Sequence, residues 1–214
     1  MERNIIILTT TVNVFNVYTL YQKSKNDRIK TYNKSISKWL KTNFKIIVID
    51  NSGYKFPNFK ENERFIKLDY VYDELEISYE YNFIRKSKNK GSHEMLSILY
   101  AQKNIPSSWK YNKIFKLTGR YFIPYFYDYI KNIDIYSKFY IQDNEDRCEL
   151  FGCHKDYFNH LFILPIESED YMSLENRKKK IIKELSNKYK IYNFPKIPVD
   201  GVIKGSSNRF IRSL

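Results

Sequence analysis

The chain has 214 residues, 43% hydrophobic and 17% aromatic, which is enough apolar material for a core of its own and excludes an intrinsically disordered protein. Lysine and arginine (37) outnumber aspartate and glutamate (24), so the formal net charge is +13, a balance that favours anionic ligands, polyanions or acidic membrane surfaces. Two cysteines, Cys148 and Cys153, and three histidines exclude a disulfide scaffold and the usual zinc spacings. No run is long and apolar enough to span a bilayer.

In chain order, Asn4–Thr10 (NIIILTT) predicts a buried strand that opens onto hydroxyls. Arg28 to Thr42 places Tyr32, Ile36, Trp39 and Leu40 at helical spacing. Lys45–Asp50 (KIIVID) is β-branched and runs into DNSGY, a turn by composition. Strand, helix, strand predicts a βαβ unit with a parallel pair. Phe65–Leu68 reads as a third short strand. A helix is expected over Ser92–Gln102 with Ser92 as N-cap, then a strand at KIFKL, and an aromatic helix from beyond Pro124 to about Lys131. SKFYIQ and CELFGC read as strands, DYFNHLF and Ser173–Lys188 as helices, and the Pro-, Gly- and Ser-rich tail as loop and short strand. The fold class is therefore α/β, a mixed, mainly parallel sheet flanked by helices, in a single domain spanning 1–214. Ligands of such sheets bind beyond the carboxyl ends of the strands, where TTTVN, DNSGY and TGRY all fall.

Several residues there suit an anionic ligand. Asp50 can accept from a ribose or a base, or cap its own turn. Lys90-Gly91-Ser92-His93-Glu94 opens a helix, where free N–H groups and the dipole attract phosphate, although Glu94 there is also ordinary dipole complementarity. Thr118-Gly119-Arg120-Tyr121 joins a residue that permits close backbone approach to a guanidinium that forks onto phosphate oxygens; Tyr121 either stacks on a ligand ring or sits in the core. His93 and His154 are further candidate bases. Glu167, Glu169, Asp170 and Glu175 form an acidic patch that either supplies a general base or is the acidic start of the Ser173 helix. No Walker A sequence, GxGxxG, HExxH or GxSxG is present.

The order of IIILTTTVN, IIVIDNSGY, KGSHEMLSILYA, IFKLTGRYFIP and ELFG resembles small GT-A-like glycosyltransferases of surface-glycan pathways in bacteria and large DNA viruses. The resemblance covers about the first 150 residues and fits the last 60 loosely. It implies a GT-A-like nucleotide-binding sandwich, with a donor-binding half (1–122) and an acceptor-side half (123–214). It also implies a nucleotide-sugar donor and a glycan, lipid-linked or protein-linked acceptor. On this reading Thr9, Thr10, Asp50 and Asn51 lie near the nucleoside, and Lys90, Gly91 and Glu94 flank the diphosphate or sugar. Thr118, Gly119, Arg120 and Tyr121 stand where typical relatives carry a metal-binding Asp-x-Asp. TGR offers no carboxylate, so Arg120, with Lys90 or Lys116, is expected to stabilise the leaving diphosphate in place of a metal. Mn²⁺ or Mg²⁺ stays open as a cofactor through the acidic DNED stretch, 143–146. Asp170 or Glu175 is expected as base. The protein is expected to be cytoplasmic with reduced thiols, a local disulfide being the alternative. Its basic surface would allow peripheral membrane contact. The competing reading is a noncatalytic nucleic-acid-binding module, which no sequence motif supports.

Overall fold

The computed structural model describes residues 4–14, 24–71, 82–142, 147–203 and 210–214. A seven-stranded sheet organises them, in the order β3-β2-β1-β4-β6-β5-β7. Its strands are β1 (Asn4–Thr10), β2 (Lys45–Asp50), β3 (Phe65–Asp69), β4 (Lys113–Thr118), β5 (Ser137–Ile141), β6 (Leu150–His154) and β7 (Lys190–Asn193). The first four run parallel. β6 reverses direction beside β4, and β5 reverses again. A separate antiparallel pair, β8 (Pro198–Ile203) and β9 (Phe210–Ser213), ends the chain.

The helices are α1 (Lys25–Trp39), α2 (Asn82–Lys86), α3 (Lys90–Lys103), α4 (Phe126–Lys131), α5 (Phe158–Leu161) and α6 (Leu174–Ser186). Strand residues alternate between two layers, as the pleat requires. Ile6, Leu8, Ile46, Val48, Phe115 and Leu117 pack with Tyr32, Ile36 and Trp39 of α1 and Phe126 and Ile130 of α4. Ile5, Ile7, Ile47, Ile49 and Ile114 pack with Met95, Ile98 and Ala101 of α3 and with residues of α5 and α6. The expected βαβ unit is present, with β1 and β2 as parallel neighbours.

Two helix boundaries differ from expectation. Ser92 is not the cap of α3: that helix starts at Lys90, and Asn89 caps it by accepting from the Gly91 N–H. The short α2 has too few residues for a periodic signal and is not apparent in the sequence. Both cysteines are free and buried, so the local disulfide is not formed. Among the described residues no helix is long and apolar enough to cross a membrane.

Trp39 links the α1 layer to the end of β4. It is fully buried, meets Phe44, Phe122 and Phe126 edge-on, and donates its indole N–H to the Tyr121 carbonyl at 2.9 Å. Ser35 donates to the same carbonyl at 2.8 Å. Trp39→Ala is expected to cost about 3–5 kcal/mol, and Trp39→Phe distinctly less, because it loses the hydrogen bond but keeps most of the packing; urea unfolding of the two variants measures the difference.

Candidate functional site

The carboxyl ends of β1, β2 and β4 lie together, with Thr9 beside Thr118 and Thr10 beside Asp50. The alternation that sorts the core also sorts these polar ends. Thr10 continues the α1 face and Thr9 the α3 face.

On the α1 face the polar groups are consumed by the chain itself. Asp50 is fully buried. Its carboxylate accepts from Thr10 Oγ1 (2.9 Å), Val12 N (3.0 Å), Ser52 N (2.9 Å) and Tyr54 N (3.1 Å), and also from Ser52 Oγ. Thr11 donates to Asn51 Oδ1 at 2.7 Å. Asp50 is thus the cap of the two strand-end loops, and its oxygens are engaged before any ribose arrives.

On the α3 face Lys116 is the central group. A lysine between Phe115 and Leu117 in a buried strand must point to the layer opposite theirs, and there it is fully enclosed. Its ammonium donates to the Cys148 carbonyl at 2.6 Å and to Thr118 Oγ1 at 3.2 Å, and pairs with Glu94 Oε1 at 2.9 Å. Thr9 donates to the same Glu94 oxygen at 2.6 Å. The Phe151 ring lies under the ammonium, 5.3 Å from its centroid. Lys116 is therefore a structural cation committed within the protein, and the expectation that it could reach a diphosphate is replaced by a positioning role for Glu94.

Two glycines of the sequence motifs also serve the chain. A Cβ on Gly119 would sit 2.9 Å from the Thr9 carbonyl and 2.6 Å from Thr10 Cγ2, and the Gly119 N–H donates to that carbonyl at 2.8 Å. A Cβ on Gly91 would meet Leu174 at 2.6 Å. The bodies brought close by these glycines are β1 and α6. The start of α3 is likewise covered: Asn89 Nδ2 donates to the carbonyls of Asp170 and Met172, and Ser92 Oγ donates to Asp170 Oδ1 at 2.7 Å. The phosphate cradle read from KGSHE is thus closed by the 170–174 segment, and one oxygen of Asp170 is tied to the helix it covers. His93 has a ring nitrogen 2.8 Å from the Ser87 carbonyl, and burial lowers its pKa. His154 pairs with Lys113, at the opposite end of β4 from the site.

Beside these committed groups stand two cations, Arg120 and Lys90. Arg120 is half-buried just beyond β4; its Nε is enclosed without a hydrogen-bond partner among the described residues, and its guanidinium lies 5.3 Å from the centre of the Tyr121 ring. Tyr121 itself is fully buried, which removes it as a stacking surface for a base. Lys90 has its pKa lowered by burial, with Arg120 and Arg28 pushing in the same direction and Glu175 and Glu94 opposing. Two cations, Arg28 of α1 and Arg120 beyond β4, and two carboxylates thus lie within electrostatic reach of the Lys90 ammonium. Glu175, in the first turn of α6, forms no hydrogen bond or ion pair among the described residues and is partly exposed.

The sequence reading missed Arg28, which is buried and donates through Nε to the Thr11 carbonyl at 2.6 Å and through Nη2 to Tyr32 Oη at 3.0 Å. Its signal was a charge on the apolar face of α1, one turn before Tyr32. It also missed Arg147 and Glu149, which pair at 3.0 Å beside the β4 end. Burial raises the Glu149 pKa, but Arg147 and Lys116 outweigh it and the carboxyl ends below its ordinary value.

A divalent cation fits these residues poorly. Of the carboxylates at the strand ends, Asp50 is saturated by the chain, Glu149 is paired with Arg147, and Glu94 and Glu175 each lie near lysine ammonium groups. Among the described residues no three of His, Cys, Asp and Glu gather into a metal-binding group. The DNED stretch, 143–146, lies outside the described residues.

No family model matches the chain, and no curated protein matches it in sequence. Solved structures do. A protein of Desulfovibrio desulfuricans, provisionally assigned as a nucleotide-diphospho-sugar transferase, superposes with a TM-score of 0.55 at 11% identity, over 91% of this chain and 80% of its own. A 4-diphosphocytidyl-2C-methyl-D-erythritol synthase from Anaerococcus prevotii gives a TM-score of 0.43 at 8% identity, over 90% and 88%. A glycosyltransferase involved in glycosylation of the major capsid of PBCV-1 gives 0.41 at 10% identity, over 88% and 81%. The first likeness establishes a fold of the nucleotide-sugar-transferase type.

Two outcomes follow from the buried charges. Glu94→Ala strands the enclosed Lys116 ammonium and should cost about 3–5 kcal/mol, whereas Lys116→Met, which leaves Glu94 bonded to Thr9 and in contact with water, should cost much less; guanidinium unfolding compares them. The depressed pKa of Glu149 means that its contribution to stability is complete above the ordinary carboxyl value and is lost as pH falls through the lower folded-state value. Stability measured in urea from pH 6 to pH 3 should therefore decline less steeply in Glu149→Gln than in the wild type.

Proposed function

We propose that this protein is a glycosyltransferase that moves a sugar from a nucleotide-sugar donor to a hydroxyl of a glycan, lipid-linked or protein-linked acceptor. The observation that carries this reading is Arg120: a guanidinium with an uncommitted, enclosed Nε, at the carboxyl end of a central parallel strand, with Lys90 in electrostatic reach. Sheets of this class bind ligands at that place, and a diphosphate is the anion such a pair suits. The GT-A-like fold supports the same reading.

In the proposed reaction the acceptor oxygen attacks the anomeric carbon while the bond from that carbon to the diphosphate oxygen breaks. The bonding electrons leave with the diphosphate, and Arg120 and Lys90 stabilise the charge they carry. The acceptor proton passes to Glu175, which is the better placed of the two expected bases because Asp170 already receives Ser92 and tethers α3. Residues 1–122 supply the donor side, and α6 in 123–214 brings Glu175 to the acceptor side. No step is routed through a metal.

Thermal unfolding with UDP-, GDP-, ADP-, CDP- and dTDP-sugars, each with Mn²⁺, with Mg²⁺ and with EDTA, tests the reading. A donor at about 100 times its Kd adds roughly 2.7 kcal/mol, or about 5–11 °C in Tm for a chain of this size. The expected result is a shift that persists in EDTA and is lost in Arg120→Ala. Glu175→Gln should keep the shift and lose transfer. A shift that requires Mn²⁺ would overturn the role given to Arg120, and a shift with oligonucleotides alone would overturn the enzyme reading.

A further inference from the structure

Glu94 is the one group in the site whose placement the phosphate chemistry leaves unexplained. A carboxylate beside a diphosphate weakens its binding, yet this one is held with care. Its Oε1 receives both Thr9 Oγ1 at 2.6 Å and the Lys116 ammonium at 2.9 Å, while the side chain keeps 24% of its surface exposed. Both contacts of the carboxylate fall on Oε1, and no hydrogen bond to Oε2 occurs among the described residues. One oxygen is therefore fixed against the sheet, and its twin is left to accept from something that enters the site.

The position narrows what that is. Glu94 lies four residues beyond Lys90 on α3, about 6 Å further along the axis, and the two interact electrostatically. That spacing is comparable with the reach from a glycosyl phosphate to the hydroxyls of its own sugar ring. A carboxylate accepts from hydroxyls and repels further anions, so it selects a polyhydroxylated, uncharged group. Lys116 keeps the orientation: with its ammonium bound on three sides, it fixes Oε1 and with it the rotamer of Glu94.

Resting on the donor reading above, we infer that Glu94 Oε2 anchors ring hydroxyls of a neutral donor sugar, with Lys116 and Thr9 as its positioning residues. The site then has two parts, a cationic one for the diphosphate and an anionic one for the sugar. The class of donor that fits is a nucleoside diphosphate bearing a neutral hexose or deoxyhexose with at least one free ring hydroxyl.

Isothermal titration with UDP, UDP-glucose, GDP and GDP-mannose tests this in three proteins: wild type, Glu94→Gln, and the double variant Glu94→Leu with Lys116→Met, which removes both charges without stranding either. The wild type should bind the sugar conjugate of its preferred nucleotide more tightly than the bare diphosphate. Both variants should lose about tenfold or more of the affinity for the conjugate, the size of one hydrogen bond to a charged acceptor, and should bind the bare diphosphate as well as before or better. Equal weakening of conjugate and diphosphate would make Glu94 merely structural and overturn the inference, as would unchanged affinity for both. If the wild type binds none of the four, the donor reading fails for these nucleotides and the inference falls with it; if it binds them and the variants do not discriminate, only the inference falls.

Discussion

A single buried ammonium sets the constraint on which the strand-end architecture depends. Lys116 lies inside an apolar sheet, where an unpaired charge would be prohibitively costly, so every element around it must present oxygen. β1 brings Thr9 to the shared carboxylate, α3 brings Glu94, β4 brings Thr118, and the approach to β6 brings the Cys148 carbonyl. Apolar contacts would tolerate small slips among these pieces. A charged group with directional partners does not, so the pair fixes the height of α3 against the sheet and the register of the loop before β6. Replacing Lys116 alone with an apolar residue would yield a comparable fold with a less strictly placed Glu94 carboxylate.

Much of the fold was legible because it follows from periodicity. The apolar strands β1, β2 and β4 and the amphipathic α1 carry their signal in a few adjacent residues, and α6 follows the pattern read over Ser173–Lys188, with Ser173 as its cap. The site was legible in location and less so in roles. Asp50 and Tyr121 each carried two readings, one toward a ligand and one toward the chain, whereas Gly91 and Gly119 read toward a ligand alone. Geometry favours the chain in all four, because Thr9, Leu174, the Ser52 turn and the Trp39 layer are neighbours only after folding. Lys116 did carry a local signal, a cation between Phe115 and Leu117. What it lacked was its partner, which lies on a helix at another point in the sequence. Arg120 lies just beyond β4 and Glu175 in the first turn of α6, positions that follow from the sequence order alone.

The reversal at β6 explains how the far half of the chain contributes. Because β6 runs antiparallel to β4, its amino end arrives where the parallel strands finish. Arg147, Cys148 and Glu149 are delivered beside Thr118, whose N–H donates to the Glu149 carbonyl at 2.9 Å. Lys178 of α6 then donates to the Arg147 carbonyl and binds that helix, with Glu175 on it, to the same edge. The polar edge is thus built from strand ends on one side and a strand beginning on the other.

The central position of β1 has a kinetic consequence. One of its neighbours, β2, is close in sequence, but the other, β4, comes after three helices and two more strands. Local pairing of β1 with β2 can form early, whereas closing the long loop to β4 is slow, as contact order dictates. Until β4 docks, Lys116 has no Glu94–Thr9 partner in place and the strand-end crevice does not exist. Features that depend on β4, the Lys116–Glu94 pair among them, are therefore expected to assemble late in folding.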